Sequence, residues 1–262
     1  IEEVLQNTTA MKEVLAREIK KVPALRGKTI ITLFHEPSTR TRVSFEHAGK
    51  ILSADVINVS GSETSVGKGE SLYNTALTLQ AMKADIIVMR HPHAGAPHFL
   101  ARHLDSCVIN AGAGTHAHPT QALLDLYTIR DHLGDIRGLR VAIVGDIMHS
   151  RVARSNILGL TTMGASIVLC GPPTLLPLEY LGGEGARPEN PLSGLEIETN
   201  VERALEGVDV VMVLRLQLER QKGGHLPTLR EYSRMYGINP RRMELAKPDA
   251  LVMHPGPMNE GV

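Results

Sequence analysis

The sequence contains no tryptophan, and aromatic residues make up only 3% of its 262 positions. That scarcity argues against the stacked-aromatic platforms on which single-stranded nucleic acids are read. Neither charge is in excess: 28 Lys plus Arg balance 28 Asp plus Glu. A balanced chain is not a general binder of polyanions or of anionic membranes, so any anion site must be local. No apolar stretch is long enough to span a bilayer, and no signal-peptide pattern is present. The two cysteines, Cys107 and Cys170, lie in the apolar runs "DSCVINAG" and "ASIVLCGP". They predict buried free thiols in a reducing cytoplasm. A first residue other than Met, and an end at "MNEGV" just after a motif, predict that both ends are incomplete.

The composition that remains is that of a soluble globular protein, with 42% hydrophobic and 21% charged residues. The length accommodates two domains. Short apolar runs rich in β-branched residues recur at 28–34, 54–60, 84–90, 106–112, 140–146, 165–171, 208–214 and 249–255. Such near-continuous runs suit strands buried on both faces of a parallel sheet. Helical patterns fall between most of them, as in "RVSFEHAGKILS", "SLYNTALTLQAM", "PTQALLDLYTIRDHL" and "RVARSNILGLTTMG". The alternation predicts an α/β protein with two doubly wound domains, each with a central, mainly parallel sheet flanked by helices. Gly134 and Gly138 in "HLGDIRG" read as a hinge, which predicts domains at 1–133 and 134–262. The Gly- and Pro-rich segment 181–194 reads as a surface loop, and 218–232 as a mobile one.

The unusual residues follow the predicted strands, where open parallel sheets bind ligands. After the first run comes "PSTRTR", with Ser38, Thr39, Arg40 and Thr41 at a predicted helix start. Free N–H groups, the helix dipole, hydroxyls and guanidinium together suit a phosphate; the alternative is a capped helix with solvated arginines. "SETSVGKGE" places Ser65 and Lys68 on a glycine-bearing loop without the spacing of a nucleotide P-loop, so an exposed turn is the bland alternative. Arg90 closes the third run and either meets a ligand or exits to solvent. "THAHPTQALLDL" puts His118 and Gln121 at a helix start; His118 either donates to a polarised carbonyl or is satisfied by backbone. No Cys/His/Asp spacing completes a zinc site with His116 and His118.

In the second half, "VAIVGD" lacks the GxGxxG fingerprint, since Gly145 stands alone, and NAD(P) binding is not expected. Arg151, Arg215 and Gln217 suit a carboxylate clamp, with surface salt bridges as the alternative. "HPGP" (254–257) offers backbone carbonyls on a rigid turn. The sequence shows no nucleophile–base pair, metal cluster or nucleotide loop. The first half thus offers groups for a dianion and a carbonyl, the second for a small carboxylate-bearing molecule. That combination points to direct group transfer between two bound substrates by positioning and electrostatics.

The ordered set "PSTRTRVSFE", "KGE", "MRHP", "HPTQALLDLYTI", "RLQLER" and "HPGP" resembles the catalytic chain of the aspartate carbamoyltransferase family, over essentially the whole length. The resemblance implies transfer of the carbamoyl group of carbamoyl phosphate to L-aspartate, in pyrimidine biosynthesis, with no cofactor. It implies that Ser38, Thr39, Arg40 and Thr41 hold the phosphate, and that Thr41, Arg90 and His118 stabilise the oxyanion. Gln121 and the carbonyl of Pro255 would hold the carbamoyl NH2; Arg151, Arg215, Gln217 and Gly256 would bind aspartate. Ser65 and Lys68, the latter also catalytic and touching aspartate, would come from the neighbouring subunit of a homotrimer, with regulatory chains or a partner enzyme as candidate further partners. Domain closure over the site is implied as well. Family members continue beyond the "HPGP" region into a further helix, whereas this chain ends at Val262, and Glu260 stands where an arginine is common.

Two rival readings compete with this one. Ornithine carbamoyltransferase shares the STRTR-type loop but carries a cysteine where this chain has "HPGP", and it lacks the RxQxER pattern. A non-catalytic scaffold paralogue would have lost site residues that are present here.

Overall fold

The computed structural model describes residues 1–61, 70–177, 195–217 and 228–258. The segment with Ser65 and Lys68, the 181–194 loop and residues 218–227 lie outside the described residues. Two compact units result, Glu2–Thr120 and Gln121–Val262, the second also taking Ile1.

In the first unit the order is α1 (Glu2–Ala16), β1 (Thr29–Phe34), α2 (Thr39–Ile51), β2 (Asp55–Ser60), α3 (Leu72–Ala81), β3 (Ile86–His91), α4 (Ala96–Ala101) and β4 (Cys107–Ala113). The strands form one parallel sheet in the order β2-β1-β3-β4. Alternate residues of the same strand serve opposite faces. Ile30 and Phe34 pack with Val88, Ala111 and Phe45 of α2 on one side. Ile31 and Leu33 pack with Ile87 and Leu79 of α3 on the other. This double burial is why the apolar runs are continuous rather than alternating.

The second unit begins inside α5 (Pro119–Leu133). It continues through β5 (Arg140–Val144), α6 (Arg151–Thr162), β6 (Ser166–Cys170), β7 (Glu196–Glu198), α7 (Val201–Leu205), β8 (Val210–Val213), α8 (Leu229–Tyr236), α9 (Pro240–Met243) and β9 (Leu251–Met253). Its sheet is also parallel, in the order β7-β6-β5-β8-β9. Ala142 and Val144 face a core with Val168, Val211 and residues of α7 and α8. α5 packs closely on α6: a Cβ built on Gly159 would stand 3.0 Å from Leu126 Cδ1. Gly134, just after α5, and Gly138 both adopt left-handed φ, +83° and +81°, as a chain reversal after a helix requires.

Three expectations need correction. The apolar runs predict eight strands, but among the described residues β7 adds a ninth; its sequence, Glu-Ile-Glu, has one apolar residue and no readable period. Cys107 is exposed, because it opens β4 at the strand's amino end, whereas Cys170 is buried and its thiol is pushed up to about 12 by desolvation. Of the loop expected at 218–232, residues 229–232 belong instead to α8, which Thr228 caps by accepting from Glu231 N–H, and residues 218–227 lie outside the described residues.

The lone glycine after β5 has a steric role. Gly145 has φ +132°, and a Cβ there would lie 2.7 Å from the carbonyl oxygen of Leu214, beyond the end of β8. Gly145→Ala is expected to destabilise the protein by roughly 2–4 kcal/mol through strain and overpacking, read as a lower urea midpoint. An unchanged midpoint would show that the β5 and β8 ends approach less tightly than this geometry states.

Candidate active site

Each sheet contains a reversal of strand order. The chain runs from β1 outwards to β2 and then crosses to β3 on the other side of β1. In the second sheet it runs from β5 through β6 to β7, then crosses to β8. The connections leaving such a pair of strands diverge and open a crevice at their carboxyl ends. Of the described residues singled out in the sequence, Ser38, Thr39, Arg40, Thr41 and Arg90 lie at the first of these places and Arg151, Arg215 and Gln217 at the second.

At the β1/β3 reversal, Ser38 is the N-cap of α2, with extended backbone and no side-chain cap hydrogen bond. Thr39, Arg40 and Thr41 form the first turn, so their N–H groups belong to the positive end of the helix. Arg40 is exposed. Arg90 pairs in register with Phe34 and is 8% exposed. Its guanidinium donates through Nε to Glu36 Oε2 at 3.2 Å and through an NH2 group to Thr41 Oγ1 at 3.4 Å. The neighbouring strand β4 leads to His118, which directly precedes α5. The first unit thus unites Thr41 with Arg90 and carries Ser38, Thr39, Arg40 and His118 beyond the carboxyl ends of its strands.

His91, next to Arg90 in the sequence, belongs to a cluster of three histidine rings. His35 and His91 stand edge-on with centroids 4.8 Å apart, and His91 and His93 are 5.0 Å apart. The His93 N–H donates to His91 Nδ1 at 3.0 Å, which leaves that nitrogen unprotonated. Desolvation first, then the neighbouring His35 and His93, lower the pKa of His91 to about 4. Burial lowers that of His35 in the same direction. Both shifts favour the neutral forms of His91 and His35 near pH 7.

At the β5/β8 reversal, Arg151 opens α6 and is 7% exposed. Ser150 caps that helix by accepting from Ala153 N–H. Past β8, Arg215 donates to Gln217 Oε1 at 3.2 Å. The fully buried Asp146 accepts from Gln217 N–H at 3.1 Å and from His149 Nδ1 at 2.8 Å. The next strand, β9, leads to Pro255 and Gly256, whose N–H donates to His254 Nδ1 at 2.8 Å. Gln121 belongs to this unit; its Nε2 donates to Asp125 Oδ1 at 2.9 Å.

Sequence reasoning missed Glu36, Asp146, Asp125 and Asn156. A signal existed for Asp146, an acid directly after a buried strand in "VAIVGD", where it must find donors. Asp125 had a similar signal, interrupting the buried face of a helix. Among the described residues no group of three or more His, Cys, Asp or Glu side chains could hold a metal. No described helix is long and apolar enough to cross a membrane.

Two parallel sheets, each presenting cationic and hydroxyl or amide groups at its strand-order reversal, define an α/β protein of two binding domains suited to group transfer between small anionic substrates. Residues 1–131 match the aspartate/ornithine carbamoyltransferase carbamoyl-P binding domain, and residues 137–262 the Asp/Orn binding domain of the same family. The chain belongs to the aspartate/ornithine carbamoyltransferase family. It is 57% identical to the aspartate carbamoyltransferase catalytic subunit of Heliobacterium modesticaldum, across all of this chain and 81% of that one. The aspartate transcarbamoylase of Trypanosoma cruzi in complex with N-(phosphonacetyl)-L-aspartic acid superposes with a TM-score of 0.84 at 32% identity, covering 99% of this chain and 81% of that one. The ornithine carbamoyltransferase of Pyrococcus furiosus gives 0.80 at 28% identity, over 98% and 81%.

The histidine cluster sets the sign of a pH response. An ordinary histidine titrates near 6.5, whereas folded His91 does so near 4, so between these values the unfolded chain binds the extra proton. Stability present above pH 6.5 is lost as pH falls towards 4. His91→Asn, which keeps an acceptor for the His93 N–H, is expected to flatten the decline in melting temperature over this window. An equally steep decline in the variant would remove His91 as its source.

Proposed function

We propose that this chain transfers the carbamoyl group of carbamoyl phosphate to the amine of L-aspartate, giving N-carbamoyl-L-aspartate and phosphate for pyrimidine synthesis. The observation that carries the reading is the buried guanidinium of Arg90, tied to Thr41 of the "STRT" turn at the first sheet's reversal. The high identity to catalytic subunits of that name supports aspartate over ornithine as acceptor. Residues 1–133 act as the carbamoyl phosphate-binding domain and 134–262 as the aspartate-binding domain.

In this reading Ser38, Thr39, Arg40 and Thr41 grip the phosphate with the first-turn N–H groups of α2. Arg90 bridges phosphate and carbonyl oxygen, and Thr41, Arg90 and His118 donate to the oxyanion as the amine attacks. A guanidinium already desolvated and oriented by Glu36 needs little reorganisation in that step. Gln121 and the Pro255 carbonyl hold the carbamoyl NH2. Arg151 and Arg215 face the two carboxylates of aspartate, helped by Gln217 and Gly256. The Asp146–Gln217 hydrogen bond, which fixes the backbone past β8, supports the placing of that clamp. Ser65 and Lys68 are supplied by the neighbour in a homotrimer, and the enzyme works in the cytoplasm. The departing phosphate accepts the proton of the attacking amine.

Incubation with carbamoyl phosphate and L-aspartate should form carbamoyl aspartate, with L-ornithine inert. Arg40→Ala should lose most activity, and an unaffected rate would contradict the phosphate assignment. His118→Ala should lower kcat by about 10²–10³-fold, because its donor acts most in the transition state. A change confined to the KM for aspartate would oppose that role. For the shared site, mixing inactive Lys68→Ala and His118→Ala chains should restore part of the activity. Failure of mixed, trimer-sized assemblies to recover any would place Lys68 in its own subunit's site.

A further inference from the structure

The carboxylate of Asp125 has no part in the chemistry above, yet it is held in an arrangement that costs free energy. Asp125 is only 5% exposed on α5, among the buried Ala122, Leu126 and Ile129. Its two oxygens take donors from two different amides. Oδ1 accepts from Gln121 Nε2 at 2.9 Å, and Oδ2 from Asn156 Nδ2 of α6 at 2.8 Å. Burial raises its pKa to about 6, with the two amide hydrogen bonds opposing, so the group is ionised at neutral pH. A buried charge whose partners among the described residues are two amides is a poor source of stability, and apolar packing between α5 and α6 would serve that purpose better.

An ionised carboxylate only accepts hydrogen bonds, so both amides must turn their NH2 groups towards it. For Asn156, which is fully buried, this orientation leaves Oδ1 without a partner among the described residues, while Nδ2 also reaches Val152 O at 3.2 Å. The amide is turned with its NH2 towards two acceptors, the Asp125 carboxylate at the shorter distance and the Val152 carbonyl, at the expense of its own oxygen. For Gln121 the same constraint commits Nε2 to Asp125 and leaves Oε1 as the end that can accept. A carbamoyl NH2 is a donor, so the end left free, Oε1, is the one with the matching polarity.

We propose that Asp125 is a positioning residue for carbamoyl transfer: it locks the Gln121 carboxamide with its oxygen presented to the NH2 of carbamoyl phosphate, and Asn156 holds Asp125 in place. The inference rests on the reading that Gln121 meets the carbamoyl group.

Reversing the polarity of the pair tests it. Gln121→Glu sets two carboxylates against each other and should lower kcat/KM for carbamoyl phosphate about tenfold or more. Asp125→Asn should cause a similar loss by freeing Gln121 to turn over. The double variant Gln121→Glu/Asp125→Asn restores one donor–acceptor pair at unchanged net charge. It leaves a carboxylate oxygen at position 121 to accept from the carbamoyl NH2, and an amide oxygen at position 125 to accept from Asn156. It should recover activity to within several-fold of the parent chain. Inhibition by inorganic phosphate, which has no NH2, should stay within about twofold throughout, whereas a general loosening of the structure would weaken it too. Single variants that fold but show no recovery in the folded double variant would overturn the proposal, as would parallel loss of phosphate inhibition. If Asp125→Asn alone does not fold, comparison of Gln121→Glu with the double variant decides the matter. Wild-type kcat/KM in Gln121→Ala would instead overturn the underlying assignment of Gln121.

Discussion

Because every paired strand in both sheets runs in the same direction, the carboxyl ends of β1 and β3 emerge on one edge of the first sheet, and those of β5 and β8 on one edge of the second. The helices that follow β1 and β5 start at those edges, so their positive ends and unpaired N–H groups gather there without any further device. The reversals of strand order then separate neighbouring connections and leave room for ligands. Arg40, Arg90, Arg151 and Arg215 occupy such ends. A neutral chain thereby concentrates positive potential at two places while its overall charge remains balanced.

Buried polar groups make these edges stiff. The Arg90 guanidinium is held by Glu36 and Thr41, the Gln217 backbone N–H by Asp146, and the Gln121 carboxamide by Asp125. Each contact costs desolvation, which the hydrogen bonds offset only in part. Their common effect is to limit the orientations open to a guanidinium or an amide before substrate arrives. For group transfer by positioning and electrostatics, such preorganisation lowers the reorganisation left to the reacting step. Burial likewise favours the neutral form of His91, the neighbour of Arg90 in the sequence.

Much of the fold was legible because parallel strands buried on both faces write themselves as unbroken apolar runs. β1, β4, β5 and β6 lie within a residue or two of their predicted runs, and α5 covers its predicted span. β7 was not legible, since three residues with one apolar side chain carry no period. Cys107 misled for a related reason: an apolar run implies a strand but not which of its ends is covered.

Local sequence also determined the chemistry of the candidate groups. Hydroxyls and arginine after β1, a histidine ahead of a helix-starting proline and an isolated Gly145 follow from residue type and short-range spacing alone. Tertiary structure decided which distant residues meet: Glu36 with Arg90, Asn156 with Asp125, and Leu214 against Gly145. These pairs are separated by 54, 31 and 69 positions respectively. No local pattern encodes such contacts, because they depend on sheet order and on the packing of α5 against α6. The orientation of the Gln121 amide is of that second kind, fixed by a charge that becomes a constraint only once water has been excluded around it.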